Sequence, residues 1–225
     1  HTGIGVTPAC GLAGATAQQL AAATLLAAVL LAAATASRAT EVTVEVTGSS
    51  GSALQHVAVW LEPAGGLALP APRRATVDQV DREFVPPVSV VQSGAVARFP
   101  NSDNIRHHVY SFSPARTFEL KLYSGREAPP VVFDQPGLVV LGCNIHDHMI
   151  AWIMVVDSAW FGVTDAQGSL RITGLPPGDW RLRAWHPGMS AAPVDRPLSL
   201  GSDGQVLRLA LDAGALPRPA HPGGP

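Results

Sequence analysis

The chain has 225 residues, is 47% hydrophobic and 14% charged, and carries a net charge of −2. That length permits one large domain or two small ones, and the apolar fraction excludes wholesale disorder. Fourteen Arg and one Lys are scattered without a basic run, which excludes the clustered positive charge of a nucleic-acid footprint. The 22 Gly and 20 Pro favour turns over long helices.

The first 37 residues contain no Lys, Arg, Asp or Glu. Within them Leu20 to Ala36 is an apolar run that ends in two small-x-small patterns, Ala34-Thr35-Ala36 and Ser37-Arg38-Ala39. This reads as an export signal over residues 1–39, with the chain's true start expected upstream of His1. An uncleaved membrane anchor is the alternative, because the run is near the lower limit of about 17–25 residues for a span. Cleavage leaves no membrane span, and either reading puts the remainder outside the cytoplasm, in the periplasm or beyond. Cys10 is then lost with the leader, and Cys143 is alone. A lone thiol in an oxidising compartment has no disulfide partner, so Cys143 is expected to hold something.

After the leader, Glu41 to Thr47 alternates with the two-residue period of a half-buried strand. Gly48 to Gly51 is a turn cluster, and His56 to Leu61 is a second strand stopped by Pro63 and Gly65-Gly66. Leu67 to Arg74 reads as a Pro-rich linker. Strand pieces follow at Glu83 to Pro86, Val88 to Val91 and Val96 to Phe99, then the polar loop Asn101 to Asn104. Further strands are expected at Val109 to Phe112, Phe118 to Tyr123, Val131 to Phe133 and Leu138 to Leu141. Ile150 to Val156 reads as a strand buried on both faces. Beyond Asp157 come short strands at Leu170 to Ile172, Trp180 to Trp185 and Val206 to Leu211, with Thr164 to Gly168 and Leu175 to Gly178 as turns. No long helical periodicity follows the leader, so the class is all-β, built as sandwiches or barrels.

Four of the eight histidines fall at 107, 108, 146 and 148. In Cys143-Asn144-Ile145-His146-Asp147-His148-Met149 the spacing Cys-x2-His-x2-Met puts a thiolate, an imidazole and a thioether in one short loop. His107 supplies a second imidazole from far upstream. Two His and one thiolate with a weak axial Met is the ligand set of a blue-copper centre. Thiolate and thioether favour Cu(I), whereas imidazole serves both oxidation states. Zinc gains little from the thioether. A c-type haem would need a second Cys followed by His. Gly142 and Asn144 flank the Cys where multicopper oxidases place His.

With those residues in place the resemblance is to the cupredoxins. Glu83-Phe84-x-Pro86, Val91-x-x-Gly94, Val96-x-x-Phe99-x-Asn101-x-Asp103 and His107 resemble the first half of one. Phe133-Asp134-x-Pro136-Gly137 and Cys143-x2-His146-x2-Met149 resemble the second, with a short ligand loop similar to that of amicyanin. The resemblance covers about residues 80–157. It implies a Greek-key β-sandwich and one type 1 copper, held by His107, Cys143 and His146 in the plane and Met149 on the axis. Two positions depart from the family pattern. His108 stands where many relatives have an Asn that bonds across to the Cys loop, and Asp147-His148 stands where short loops often carry Pro. His108 and His148 are therefore either solvated groups or additional ligands.

The flanks resemble a second, transthyretin-like sandwich of the carboxypeptidase-regulatory type, through Val42 to Leu61 and Thr164-Asp165-x-x-Gly168-x-x-x-Ile172-x-x-Leu175-Pro176-Pro177-Gly178-x-Trp180. The expected organisation is a signal over 1–39, the first part of that sandwich over 40–71, a cupredoxin domain over 72–157, the second part over 158–212 and a disordered tail over 213–225. The arrangement is similar to periplasmic proteins called methylamine utilisation proteins. Met154 and Met189 are expected as core or surface filler, Trp60, Trp152, Trp180 and Trp185 as core, and His56 and His186 as structural. No paired carboxylates suggest an enzyme. The expected function is transfer of single electrons to and from a redox partner protein. The alternatives are copper binding and delivery without redox turnover, or a carbohydrate- or protein-binding role for the flanking sandwich.

Overall fold

Val42, Val44 and Val46 are fully or almost fully buried, and their polar neighbours are not, so the first strand has one core face and one wet face. The computed structural model describes residues 40–124 and 128–217. The expected leader and positions 218–225 of the expected tail lie outside them. The described residues form strands and turns with no helix.

In chain order the strands begin with β1 (Thr40–Thr47), β2 (Ala58–Pro63), β3 (Ala75–Thr76), β4 (Asp78–Val80), β5 (Glu83–Val85) and β6 (Val88–Gln92). Next come β7 (Ala95–Arg98), β8 (His107–Ser113), β9 (Arg116–Tyr123), β10 (Val131–Phe133), β11 (Gly137–Gly142) and β12 (Ile150–Val156). The last are β13 (Trp160–Val163), β14 (Ser169–Leu175), β15 (Gly178–Trp185), β16 (Val194–Leu200) and β17 (Gln205–Ala210).

The middle strands make a Greek-key sandwich. One sheet has the order β6-β12-β11-β8-β9 and the other β10-β7-β3, with β4 and β5 as a separate hairpin. Between the sheets lie Phe99, Phe133, Val139, Leu141 and Ile153, all fully buried. The outer strands make a second sandwich, with sheets β14-β1-β17 and β13-β2-β15-β16 around Val44, Leu61, Trp180 and Leu182. The chain leaves this sandwich after β2 and returns at β13, which pairs antiparallel with β2 at Trp160↔Leu61.

β12 joins the two sandwiches. Ala151, Ile153 and Val155 face the Greek-key core. Met154 and Val156 face the other way, onto Ala58, Trp60 and Trp185 of the second sandwich. A strand with two dry faces reads as a near-continuous apolar run rather than an alternating one, as Ile150 to Val156 does.

Several boundaries differ from the sequence reading. β2 begins at Ala58, because His56 sits at a φ of 64° in the preceding turn. β8 begins at His107, two residues before the apolar run. β13 and β16 had no strand signature, and both are edge strands. β16 contains Pro197, which an edge tolerates because its missing N–H need not serve a neighbour. Ala213 is 3% exposed in the second core, and its carbonyl accepts the Ser49 N–H at 3.0 Å, so packing continues into the stretch read as tail.

Gly168 closes the turn before β14 at a φ of 70°, and a Cβ there would lie 2.4 Å from the Val46 carbonyl oxygen. Gly168→Ala is expected to destabilise the fold by about 1–3 kcal/mol or more through backbone strain alone. A urea midpoint equal to that of the parent chain would contradict this. His56 and His186 supply a second prediction. Burial lowers the pKa of both, and the neighbouring His56 lowers His186 further. The unfolded chain therefore takes up protons first as the pH drops. The stability tied to the neutral rings is complete above about pH 6.5 and is lost below it. Urea midpoints of the metal-free chain are expected to fall on acidification through that value, and less so for His56→Asn.

Candidate metal centre

Strand pairing sets the ends of the loop that carries Cys143. β11 and β12 pair as far as Gly142↔Ile150, so the residues 143–149 must turn between two fixed points. The turn is closed by the Met149 N–H, which donates to the His146 carbonyl at 2.9 Å. On its other side Gly142 pairs with Tyr110 of β8. The Tyr110 ring covers Gly142 so closely that a Cβ there would lie 2.8 Å from it. β8 thus runs beside Cys143 and begins with His107. Between His107↔Tyr123 and Val109↔Leu120 the register slips by one residue, a bulge that lies beside the site.

These constraints bring three donors together. Cys143 Sγ lies 3.9 Å from His107 Nδ1 and 3.9 Å from His146 Nδ1. The two imidazole rings are 5.0 Å apart between centroids, and all three donor atoms lie within 4.8 Å of one another. His107 is fully buried and Cys143 is 3% exposed, whereas His146 is half-buried. The residues fit a metal ion. With metal–sulfur and metal–nitrogen bonds of about 2.3 and 2.0–2.1 Å, a trigonal plane requires sulfur–nitrogen separations of about 3.8 Å. The observed pair of distances matches that spacing.

Asp103 orients the first imidazole. Its Oδ2 lies 2.6 Å from His107 Nε2. That contact fixes Nε2 as the donor, leaving the Nδ1 lone pair to face the thiol. The same carboxylate accepts the N–H groups of Asp81 at 2.6 Å and Arg82 at 3.0 Å, at the tip of the β4–β5 hairpin. Desolvation pushes the Asp103 pKa up. The hydrogen bonds from Arg82, His107 and Asp81 outweigh it and hold the carboxyl below its ordinary value. Asn101 stiffens the loop, donating to the Ile105 and Tyr123 carbonyls, each at 2.9 Å, and accepting the Asp103 N–H at 3.0 Å. The pKa of His146 is lowered by burial and by the charges of His107 and His148, which favours the neutral ring that a ligand requires.

The other residues singled out from the sequence take separate places. Met149 is 1% exposed in the same core cluster as Cys143. His108 is not among the three converging donors. Its Nε2 lies 3.1 Å from Glu119 Oε1 but out of line for a hydrogen bond, and its ring packs on Tyr110 at 5.6 Å. The ring of His148 is 5.9 Å from that of His146. Asp103 was visible in the sequence only as part of a spacing. Its signal was a carboxylate four residues before a histidine, in a loop whose turn residues could fold it back.

No family model matches the chain, and no curated protein matches it. Among solved structures, a copper-containing nitrite reductase from Thermus scotoductus SA-01 is 28% identical with a TM-score of 0.35, over 41% of this chain and 24% of that one. The chain therefore spans about a quarter of the nitrite reductase's length. A reduced Cu(I) form of an amicyanin variant is 18% identical, TM-score 0.33, over 43% of this chain and 91% of that one. A purple cupredoxin from Nitrosopumilus maritimus is 15% identical, TM-score 0.33, over 36% of this chain and 99% of that one.

Asp103→Ala removes the acceptor that fixes His107. It is expected to weaken metal binding about ten- to a hundredfold, as loss of such supporting groups does. Competition against a chelator of known affinity measures this, and an unchanged dissociation constant would show that His107 needs no such support.

Proposed function

We propose that the chain is an exported type 1 copper protein that passes single electrons between redox partners. The observation that carries this reading is the buried thiol of Cys143 set 3.9 Å from one nitrogen of each of two imidazoles. A soft thiolate and two imidazoles, with the thioether of Met149 as a further ligand, would favour copper over harder divalent ions. Bound copper would supply a one-electron couple. His107, Cys143 and His146 would hold it, and Asp103 would keep the His107 ring from turning. Cys143 packs with Leu141 and Met149 in the core, which leaves its sulfur little exposed to water. His146 is the half-buried member, and Ile145 beside it is 47% exposed, which suits a partner that docks over the loop. The amicyanin and cupredoxin likenesses agree with this reading, as does the apolar leader. Among the described residues no helix is long and apolar enough to cross a membrane.

The Cu(II)-loaded chain is expected to show an intense red absorption band from the thiolate and to cycle reversibly with one-electron mediators. Cys143→Ser is expected to abolish the band. A colourless wild-type copper complex would contradict the proposal. A coloured complex that surrenders copper to an acceptor protein without cycling would favour delivery instead.

A further inference from the structure

Gln79 of β4 is a polar side chain that is fully buried. Its Nε2 donates to the Tyr123 hydroxyl oxygen at 2.6 Å and to the Pro100 carbonyl at 2.9 Å. A carbonyl only accepts, so the amide nitrogen and not the amide oxygen faces Pro100. Oε1 is left buried without a hydrogen-bond partner.

Stability alone does not account for this amide. The Tyr123 hydroxyl donates to the Phe99 carbonyl at 2.6 Å, and the Pro100 carbonyl also accepts the Gln79 backbone N–H at 3.2 Å. An apolar side chain of the same length would leave both carbonyls with a donor and would remove the orphaned oxygen. Such a change is close to neutral or stabilising. Residues that break the pairing rule for buried polar groups are expected at functional sites.

The amide joins the parts that hold His107. Tyr123 is the cross-strand partner of His107 in the β8–β9 ladder, beside the bulge. The Tyr123 carbonyl accepts the Asn101 side chain, Asn101 accepts the Asp103 N–H, and Asp103 contacts His107 Nε2. The Gln79 backbone holds the same loop by donating to Pro100 and by accepting the Ser102 N–H at 3.0 Å. Two residues further on, Asp81 and Arg82 stand at φ of 53° and 60° and give their N–H groups to Asp103. Tyr123 packs against the core that contains Cys143. Burial pushes its pKa up to about 12; the Gln79 hydrogen bond opposes this, and the charges of Asp78 and Cys143 add to it. The hydroxyl thus stays protonated and keeps donating to Phe99.

We propose, building on the copper reading above, that Gln79 is a positioning residue of the metal centre: its amide ties Tyr123 to the 99–103 loop and so sets the place of the His107 ring between Asp103 and Cys143.

Gln79→Met keeps the length of the side chain and removes the hydrogen bond to Tyr123. In the metal-free chain its urea midpoint is expected to equal or exceed that of the parent. Its Cu(II) affinity, measured against a competing chelator, is expected to fall about tenfold, the lower end of what losing a supporting group costs a metal site. The thiolate absorption band is expected to shift. Tyr123→Phe is expected to weaken binding by a similar factor, and the double variant by no more than either alone, since both changes remove one hydrogen bond. Unchanged affinity in Gln79→Met would overturn the proposal, as would losses that multiply in the double variant. A lowered midpoint in Gln79→Met would assign the amide to stability and overturn it as well. A parent chain that never develops the band removes the copper reading and this role together. A coloured parent whose variants bind copper equally well removes the role alone.

Discussion

The antiparallel contact between Gly142 and Tyr110 positions the rest of the site. It places the end of β11 beside β8, so that Cys143, one residue beyond the contact, meets His107, three residues before Tyr110. Neither residue gains its position from a flexible loop. Both sit at strand ends whose neighbours are fixed by ladders, and a site built on such elements holds its geometry more closely than one built on loops. Cys143 opens the turn and His146 lies within it, and β11 and β12 pin both ends of that turn. Gly142 is part of the same constraint, since the Tyr110 ring occupies the space a side chain there would need.

β12 extends the constraint to the whole described chain. One face closes the core beneath the site through Ala151, Ile153 and Val155, and the other packs on Trp60 and Trp185. The second sandwich is thereby seated against the Greek-key sandwich by an apolar layer. Its turn before β2 and its segment after β15 bring His56 and His186 to the same cleft as the ligand loop. A substitution in that layer, at Val156 for example, would be felt in both cores.

The strands with one wet face were legible because alternation reports burial directly, as in Glu41 to Thr47 and Trp180 to Trp185. The donors Cys143 and His146 were legible because their spacing is local, and their pairing with His107 came from resemblance to a family. Edge strands were not legible. β13 is four residues long, and β16 reads as a Pro-containing polar stretch whose partner is supplied only by the fold. Asp103 was hidden for a related reason. Its role depends on a hairpin tip, Asp81 and Arg82, folding over the loop so that one carboxylate serves two backbone N–H groups and an imidazole. That His56, His148 and His186 line one cleft was invisible too, since they lie on three segments distant in sequence.

The central claim is that one sulfur and two imidazole nitrogens share a single metal ion. X-ray absorption at the copper edge of the loaded chain tests it most directly. The account predicts one sulfur scatterer at about 2.3 Å or shorter, with two imidazole nitrogens at about 2.0–2.1 Å. A shell of nitrogen and oxygen alone, with no sulfur, would contradict it.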